Sequence, residues 1–431
     1  MRVLTKTKTN IMQNNISPIV QQDRANILDV LRGIALLGIC LANYPFFAMY
    51  VFQTPQTQAA MPTANIDTAL KYFQAAFIDG KFYSLFSLLF GIGFTIILQK
   101  IKKSGKHHLT VFYRRIIILL LIGLAHALIL WEGDILLLYA LLGLFLPLFR
   151  NMKDRTLLIL SGVLIGSPLL FDLVRVISNG RWDLAIFFRQ MAFSVSENSG
   201  ITENNYTNWL VQHKSFGDIM EWNKSGFFFR WEMLLGTNRL PKVFAMFLLG
   251  LYSGRKLMYI KLEENKLLFK KIQKTSLLIG LPATIVHAYL QYDSYRIPHA
   301  AGLLDTLFYA LSVIPLSLFY TTTICLFFIK PSWQKRLLIF APVGRMALTN
   351  YIMQTIFGIF IFYGVGMGWG ATIGLVNVMS IALAVYILQL IFSNWWFKYF
   401  QFGPLEWVWR QLTYGKRLPI ITRPGHTGVP V

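Results

Sequence analysis

The stretch from Arg114 to Gly143, RRIIILLLIGLAHALILWEGDILLLYALLG, tolerates few environments. Two arginines open it, and an apolar run broken only by His126 follows. A turn of Trp131, Glu132, Gly133 and Asp134 carries two acids and a glycine, and a second apolar run returns with Tyr139 as its polar handle. Each run approaches the length that crosses a bilayer core of about 30 Å at about 1.5 Å per residue. The pattern is a transmembrane helical hairpin with an ionisable residue inside it. Such residues are costly in hydrocarbon and face a bundle interior or a water-filled cavity.

The rest of the 431-residue chain suits the same environment. Hydrophobic residues make up 55% and charged residues 14%, against about 25% charged in ordinary soluble domains. A net charge of +22 displayed on one soluble face would attract nucleic acid. Here the lysines and arginines sit in short loops between apolar runs, so a lipid bilayer and no nucleic acid is the expected partner. Cys40 and Cys325 both lie inside apolar runs, which supports neither a disulfide framework nor a cysteine metal site. The first 25 residues are polar and basic with no apolar h-region, so no cleaved signal peptide is expected.

Read in order, the chain predicts an all-α polytopic membrane protein of about ten transmembrane helices. A basic cytoplasmic tail (1–25) precedes five spans within 26–176, at about 27–50 and 78–99, two in the hairpin 114–143, and one at about 156–176. A polar connection covers 51–77, and Gly91 and Gly93 in the second span allow close helix contact. Residues 177–240, mixed in charge and rich in aromatics, predict an extracytoplasmic or interfacial loop with amphipathic helices. Five further spans lie within 241–400, at about 241–255, 275–292, 302–329, 342–363 and 371–397, followed by an interfacial aromatic helix and cytoplasmic tail in 401–431. On one side the short loops hold only Lys71, Lys81 and Arg296, whereas the other side carries most of the basic residues. The positive-inside rule then places both termini in the cytoplasm.

With this topology the intramembrane polar residues form two groups. The outer group comprises Asn43, His126, Glu132, Asp134, His287, Asp293, Arg296 and His299. A carboxylate beside an imidazole fixes its tautomer and raises its basicity, so Asp134 and His126 can form a general base. Equally, His126 can hydrogen-bond between helices while Asp134 caps the returning helix. The spacing of His287 and His299 matches no zinc pattern, and no metal is expected. The inner group comprises Asp29, Arg32, Arg255, Arg345 and Asn350. Asp29 and Arg32 can pair on one helix face. Arg345 sits in a first helical turn after Pro342 and Gly344, where a phosphate-bearing cosubstrate or lipid headgroup can dock, or else it pairs with Asp29. In the tail, Glu406 and Arg410 can pair at i,i+4, and Trp407 and Trp409 suit an interfacial belt.

Several stretches together resemble the YeiB-like family of bacterial inner-membrane proteins, a domain of unknown function (418). They are LDVLRGIALLGICLANY (28–44), FSLLFGIGF (86–94), the hairpin itself, GRMALTNYIMQT (344–355) and FGPLEWVWRQLTYG (402–415). The resemblance extends over about 25–416. It implies a distant similarity to transmembrane acyltransferases, which share a helix-1 pattern matched here by Leu28, Asp29, Arg32 and Gly33. That similarity implies an acyl group passed from cytoplasmic acyl-CoA to an extracytoplasmic glycan or lipid acceptor. In this picture Asp29, Arg32, Arg345 and Asn350 hold the donor, and His126 with Asp134 acts as base. The O-acetyltransferases carry a histidine near the outer end of helix 1 where this chain has Asn43, so His126 has to take over that role. The other reading of the same polar residues is a transporter of a small anionic solute or lipid; a third is an accessory protein without turnover.

Overall fold

Long apolar stretches can satisfy their backbone in hydrocarbon only by closing hydrogen bonds within themselves, and this chain does so with helices. The computed structural model describes residues 25–103, 109–290 and 296–421. The basic tail through Arg24, part of the basic connection after the second span (104–108), Asp293 and residues 422–431 lie outside the described residues. Among the described residues the chain is all-α, with one isolated bridge pairing Phe400 with Ile421.

The first half runs through α1 (Asn26–Phe47), a short α2 (Pro55–Ala59), α3 (Ala64–Phe77), α4 (Lys81–Lys103), α5 (Thr110–Ala125), α6 (Leu136–Phe145) and α7 (Asp154–Ile177). Three helices then fill the polar stretch: α8 (Leu184–Asn198), α9 (Tyr206–Gln212) and α10 (Phe216–Gly236). The second half contains α11 (Arg239–Arg255), α12 (Lys266–Leu290), α13 (Gly302–Phe328), α14 (Pro331–Leu337), α15 (Ala341–Arg345), α16 (Ala347–Phe362), α17 (Leu375–Trp396) and α18 (Pro404–Tyr414). Among the described residues six segments are long and apolar enough to cross a membrane: α1, the α3–α4 stretch, α5 with its continuation to Leu130, α7, α13 and α17. The 136–149 and 347–362 segments are apolar but shorter.

Helices in lipid gain little from the hydrophobic effect when they associate, so close backbone packing does more of the holding. Gly33 of α1 faces the backbone of Phe340, and Gly344 of α15 faces the carbonyl of Asp29, so α1 and α15 touch main chain to main chain. Gly91 and Gly250 bring α4 and α11 together in the same way, against the carbonyls of Phe247 and Leu88. Gly93, expected to share that role, faces open space.

Local chemistry explains where the structure departs from the sequence reading. The 51–77 connection contains α3, because Asp67 anchors it: its carboxylate accepts the Thr63 hydroxyl (2.8 Å) and the Val376 backbone N–H (2.8 Å) at the start of α17. Helix α12 begins at Lys266 rather than near 275, since the lysine-rich connection is itself a good helix former. The helix expected over 342–363 is broken at Met346 (φ −116°, ψ 45°), which separates α15 from α16. At the C-terminal end of α1 an aromatic cluster forms, with Phe47 against Trp131 at 4.2 Å between ring centroids.

Candidate functional site: a charged cavity beside a buried histidine pair

The hairpin places its histidine through a change of helical pitch. Residues His126–Leu130 form a π turn, closed by the Trp131 N–H donating to the His126 carbonyl at 2.8 Å. Such turns are rare and concentrate at functional positions. Asp134 then satisfies both sequence readings at once. One carboxylate oxygen lies 2.8 Å from His126 Nδ1, and the other accepts the Leu137 backbone N–H at 2.6 Å, capping α6. His126 Nε2 lies 2.9 Å from the Thr355 hydroxyl on α16. In the neutral imidazole with Nδ1–H donating to Asp134, Nε2 accepts from the Thr355 hydroxyl. All three side chains are buried.

Arg230 of α10 fastens the polar stretch onto this turn, donating through Nε (3.0 Å) and Nη2 (2.8 Å) to the Asp134 carbonyl. Tyr351 and Trp131 stand beside the His126 ring, with centroids 5.2 and 6.5 Å away. Both also line a cavity of about 1330 Å³. His126 and Asp134 do not line it; they sit behind its wall. The volume exceeds the roughly 300–1,000 Å³ of ordinary small-molecule sites, leaving room for a headgroup and part of an acyl chain.

The cavity gathers Asn43, Glu132, His287 and Arg296 from the outer group, together with residues the sequence did not single out. Arg239 and Lys242 lie one turn apart at the start of α11. The Arg239 guanidinium stacks 4.7 Å from the Tyr83 ring centroid, and the Lys242 ammonium lies 4.1 Å from that of Tyr309. Neither makes a hydrogen bond or ion pair with any described residue, although Lys242 is 4% exposed. His287 Nδ1 is 2.7 Å from Asp305. Nearby, Asp172 accepts from Arg175 (2.6 Å), Asn238 (2.8 Å) and Thr306 (2.6 Å), joining α7, α11 and α13. In the sequence Arg239 and Lys242 look like ordinary helix-flanking cations. Nothing in their spacing marks them; what sets them apart is the packing of Tyr83 and Tyr309 against them.

The inner group lies elsewhere, and none of its five residues lines the cavity. Arg32 donates to Asp29 at 2.8 Å, and Arg345 stacks on Phe397 at 3.9 Å. The Asn350 amide donates to the Val343 carbonyl and the Ser393 hydroxyl, both at 3.1 Å, while its backbone carbonyl accepts from Gln389 at 2.8 Å. The N-terminus of α16 is already occupied. Glu406 of α18 accepts the backbone N–H groups of Leu348 (2.7 Å) and Thr349 (3.2 Å) and the Thr349 hydroxyl (2.6 Å). Burial pushes the Glu406 carboxyl above its ordinary value, opposed by those donors. The tail is thus docked into the bundle, with Arg115 stacked on Trp409 at 3.8 Å and the Trp409 N–H donating to the Arg115 carbonyl.

Comparison with known proteins places this arrangement in a family. The chain is 32% identical over 428 residues to the uncharacterized protein YxaH of Bacillus subtilis, covering 94% of this chain and 98% of that protein. It belongs to the DUF418 family. A family model described as a protein of unknown function (DUF418) matches residues 253–416. The uncharacterized protein YeiB of Escherichia coli is 28% identical over 420 residues, covering 93% of this chain and 99% of that protein. The family model's match ends just past α18, so it takes in Arg345, Asn350 and the Glu406 cap on α16.

Proposed function

We propose that this DUF418 protein crosses the bacterial cytoplasmic membrane ten times with both termini inside, and that it binds a small anionic solute or anionic lipid headgroup in the outer cavity. The spans are α1, α4, α5, α6, α7, α11, α12, α13, α15 with α16, and α17. The observation that carries the binding reading is the pair Arg239 and Lys242. Two cations stacked on tyrosine rings and lining a large cavity make no ion pair with any described residue, although Asp79, Asp172 and Asp305 line the same cavity. Cations desolvated in this way gain strongly from an incoming anion. In this reading the protein is a carrier, and no covalent step is required.

A second reading keeps acyl transfer from cytoplasmic acyl-CoA to a glycan or lipid acceptor in the same cavity. It draws on the hydrogen-bonded His126–Asp134 pair one wall behind Tyr351, with Asp29, Arg32, Arg345 and Asn350 on the donor side. His126 acts as base there only if the Thr355 hydrogen bond opens.

The test is calorimetric titration of the full chain in detergent with dihexanoyl phosphatidylglycerol and, separately, acetyl-CoA. The carrier reading expects saturable phosphatidylglycerol binding that falls at least tenfold in an Arg239→Gln/Lys242→Gln double variant. Binding that survives the double variant contradicts it. Acetyl-CoA binding lost on Arg345→Ala favours the transferase, and acyl transfer unchanged by His126→Ala removes that residue from the chemistry.

A further inference from the structure

The cavity is not uniformly basic. Around the hairpin tip its wall is aromatic and carries Glu132, while Arg175, Arg189, Arg230 and Arg296 line other parts of it. Tyr206 stands at the centre of that wall, with its ring centroid 5.4 Å from Phe52, 6.3 Å from Phe229 and 4.6 Å from Trp222. Glu132, at the tip of the hairpin, projects into the same region. Its methylenes rest where Gly226 has no side chain, so α10 makes room for it. One carboxylate oxygen accepts a long hydrogen bond from Trp222 Nε1 (3.4 Å), and the other has no hydrogen-bond partner among the described residues. Arg230 stands between the halves, within electrostatic reach of both Glu132 and Arg239, but its Nε and Nη2 are committed to the Asp134 carbonyl.

An under-partnered carboxylate against aromatic faces is the chemistry that receives an organic ammonium, through charge and cation–π attraction together. The opposite half presents two cations that receive phosphate or carboxylate. Resting on the anion-binding reading above, we propose that the ligand is zwitterionic: a phosphoryl group carrying a tethered primary amine, as in phosphoethanolamine. Its phosphate sits on Arg239 and Lys242, and its ammonium sits at Glu132 beside Tyr206. The phosphate makes with Arg239 and Lys242 the direct ion pair that no described carboxylate makes, although Asp79, Asp172 and Asp305 line the same cavity, and the ammonium meets the Glu132 oxygen that has no hydrogen-bond partner among the described residues.

The experiment uses the full chain in detergent, titrated with dihexanoyl phosphatidylethanolamine, dihexanoyl phosphatidylglycerol and free O-phosphoethanolamine. The two lipids share chains and phosphate and differ in the ammonium. The expected result is binding of the ethanolamine lipid at least tenfold tighter than the glycerol lipid. Glu132→Gln is expected to abolish that preference by weakening binding of the ethanolamine lipid at least tenfold, with an unchanged thermal unfolding transition showing that the fold is kept. Equal affinities in the native protein, or a preference that survives Glu132→Gln, overturn the zwitterion assignment alone. Absence of binding by either lipid overturns the anion-binding reading beneath it. O-phosphoethanolamine binding as tightly as the ethanolamine lipid supports the assignment with a free solute as ligand; markedly weaker binding supports it with a lipid headgroup.

Discussion

Asp134 holds His126 by one carboxylate oxygen, 2.8 Å from Nδ1, while its other oxygen accepts the Leu137 N–H at 2.6 Å. The same side chain therefore starts α6 and orients a buried imidazole on the preceding helical arm of the hairpin. Losing it removes a helix cap and leaves a buried ring nitrogen without its partner.

Asp134→Ala is accordingly expected to destabilise the protein by roughly 2–4 kcal/mol, combining a lost cap with an unsatisfied buried polar group. Asp134→Asn keeps an acceptor for Leu137 and can still bond His126 through its amide, which reverses the imidazole tautomer. It is expected to cost less than half as much. Thermal unfolding in detergent checks both; equal losses from Ala and Asn contradict the dual role.

Glu406 ties the C-terminal helix to the bundle, so Glu406→Ala is expected to cost roughly 1–3 kcal/mol by stranding the N–H groups of Leu348 and Thr349. Limited proteolysis after α18 reads this directly as faster cleavage.

The same residue sets a pH dependence. Its carboxyl is raised in the folded protein, chiefly by burial. A raised acid binds protons more tightly when folded, so its stabilising contribution is complete below the ordinary value of 4.5 and is lost as pH rises through the raised one. Melting temperatures measured from pH 4 upward are expected to lose this component of the slope in Glu406→Gln. An identical slope in the two proteins contradicts the assignment.

Two glycine substitutions separate close approach from mere helix propensity. Gly344→Ala drives a methyl into the Asp29 carbonyl and is expected to cost about 1–3 kcal/mol. Gly93→Ala meets nothing within 4 Å and is expected to be neutral or to stabilise by up to about 1 kcal/mol through helix propensity. Thermal melts of the two variants suffice.

These residues also show what was legible in the sequence. His126 and Asp134 were visible as a pair because only eight positions separate them across the hairpin turn. Their third partner, Thr355, lies 229 residues from His126 and belongs to a helix with no distinctive spacing around it. Glu406 carried a local expectation, pairing with Arg410, but its carboxylate is taken by α16, 57 and 58 residues upstream. Arg239 and Lys242 acquire meaning only when α4 and α13 bring Tyr83 and Tyr309 against them. Apolar patterning thus set out the helices, whereas the charged cavity depends on packing between distant ones.

The most direct test of the cavity's role is native mass spectrometry of the full chain released gently from its own membrane, beside the Arg239→Gln/Lys242→Gln variant. Anion binding by these two cations predicts a retained adduct carrying a phosphate or carboxylate in the native protein, lost from the variant at equal protein yield. The same adduct at the same occupancy in both proteins would contradict it.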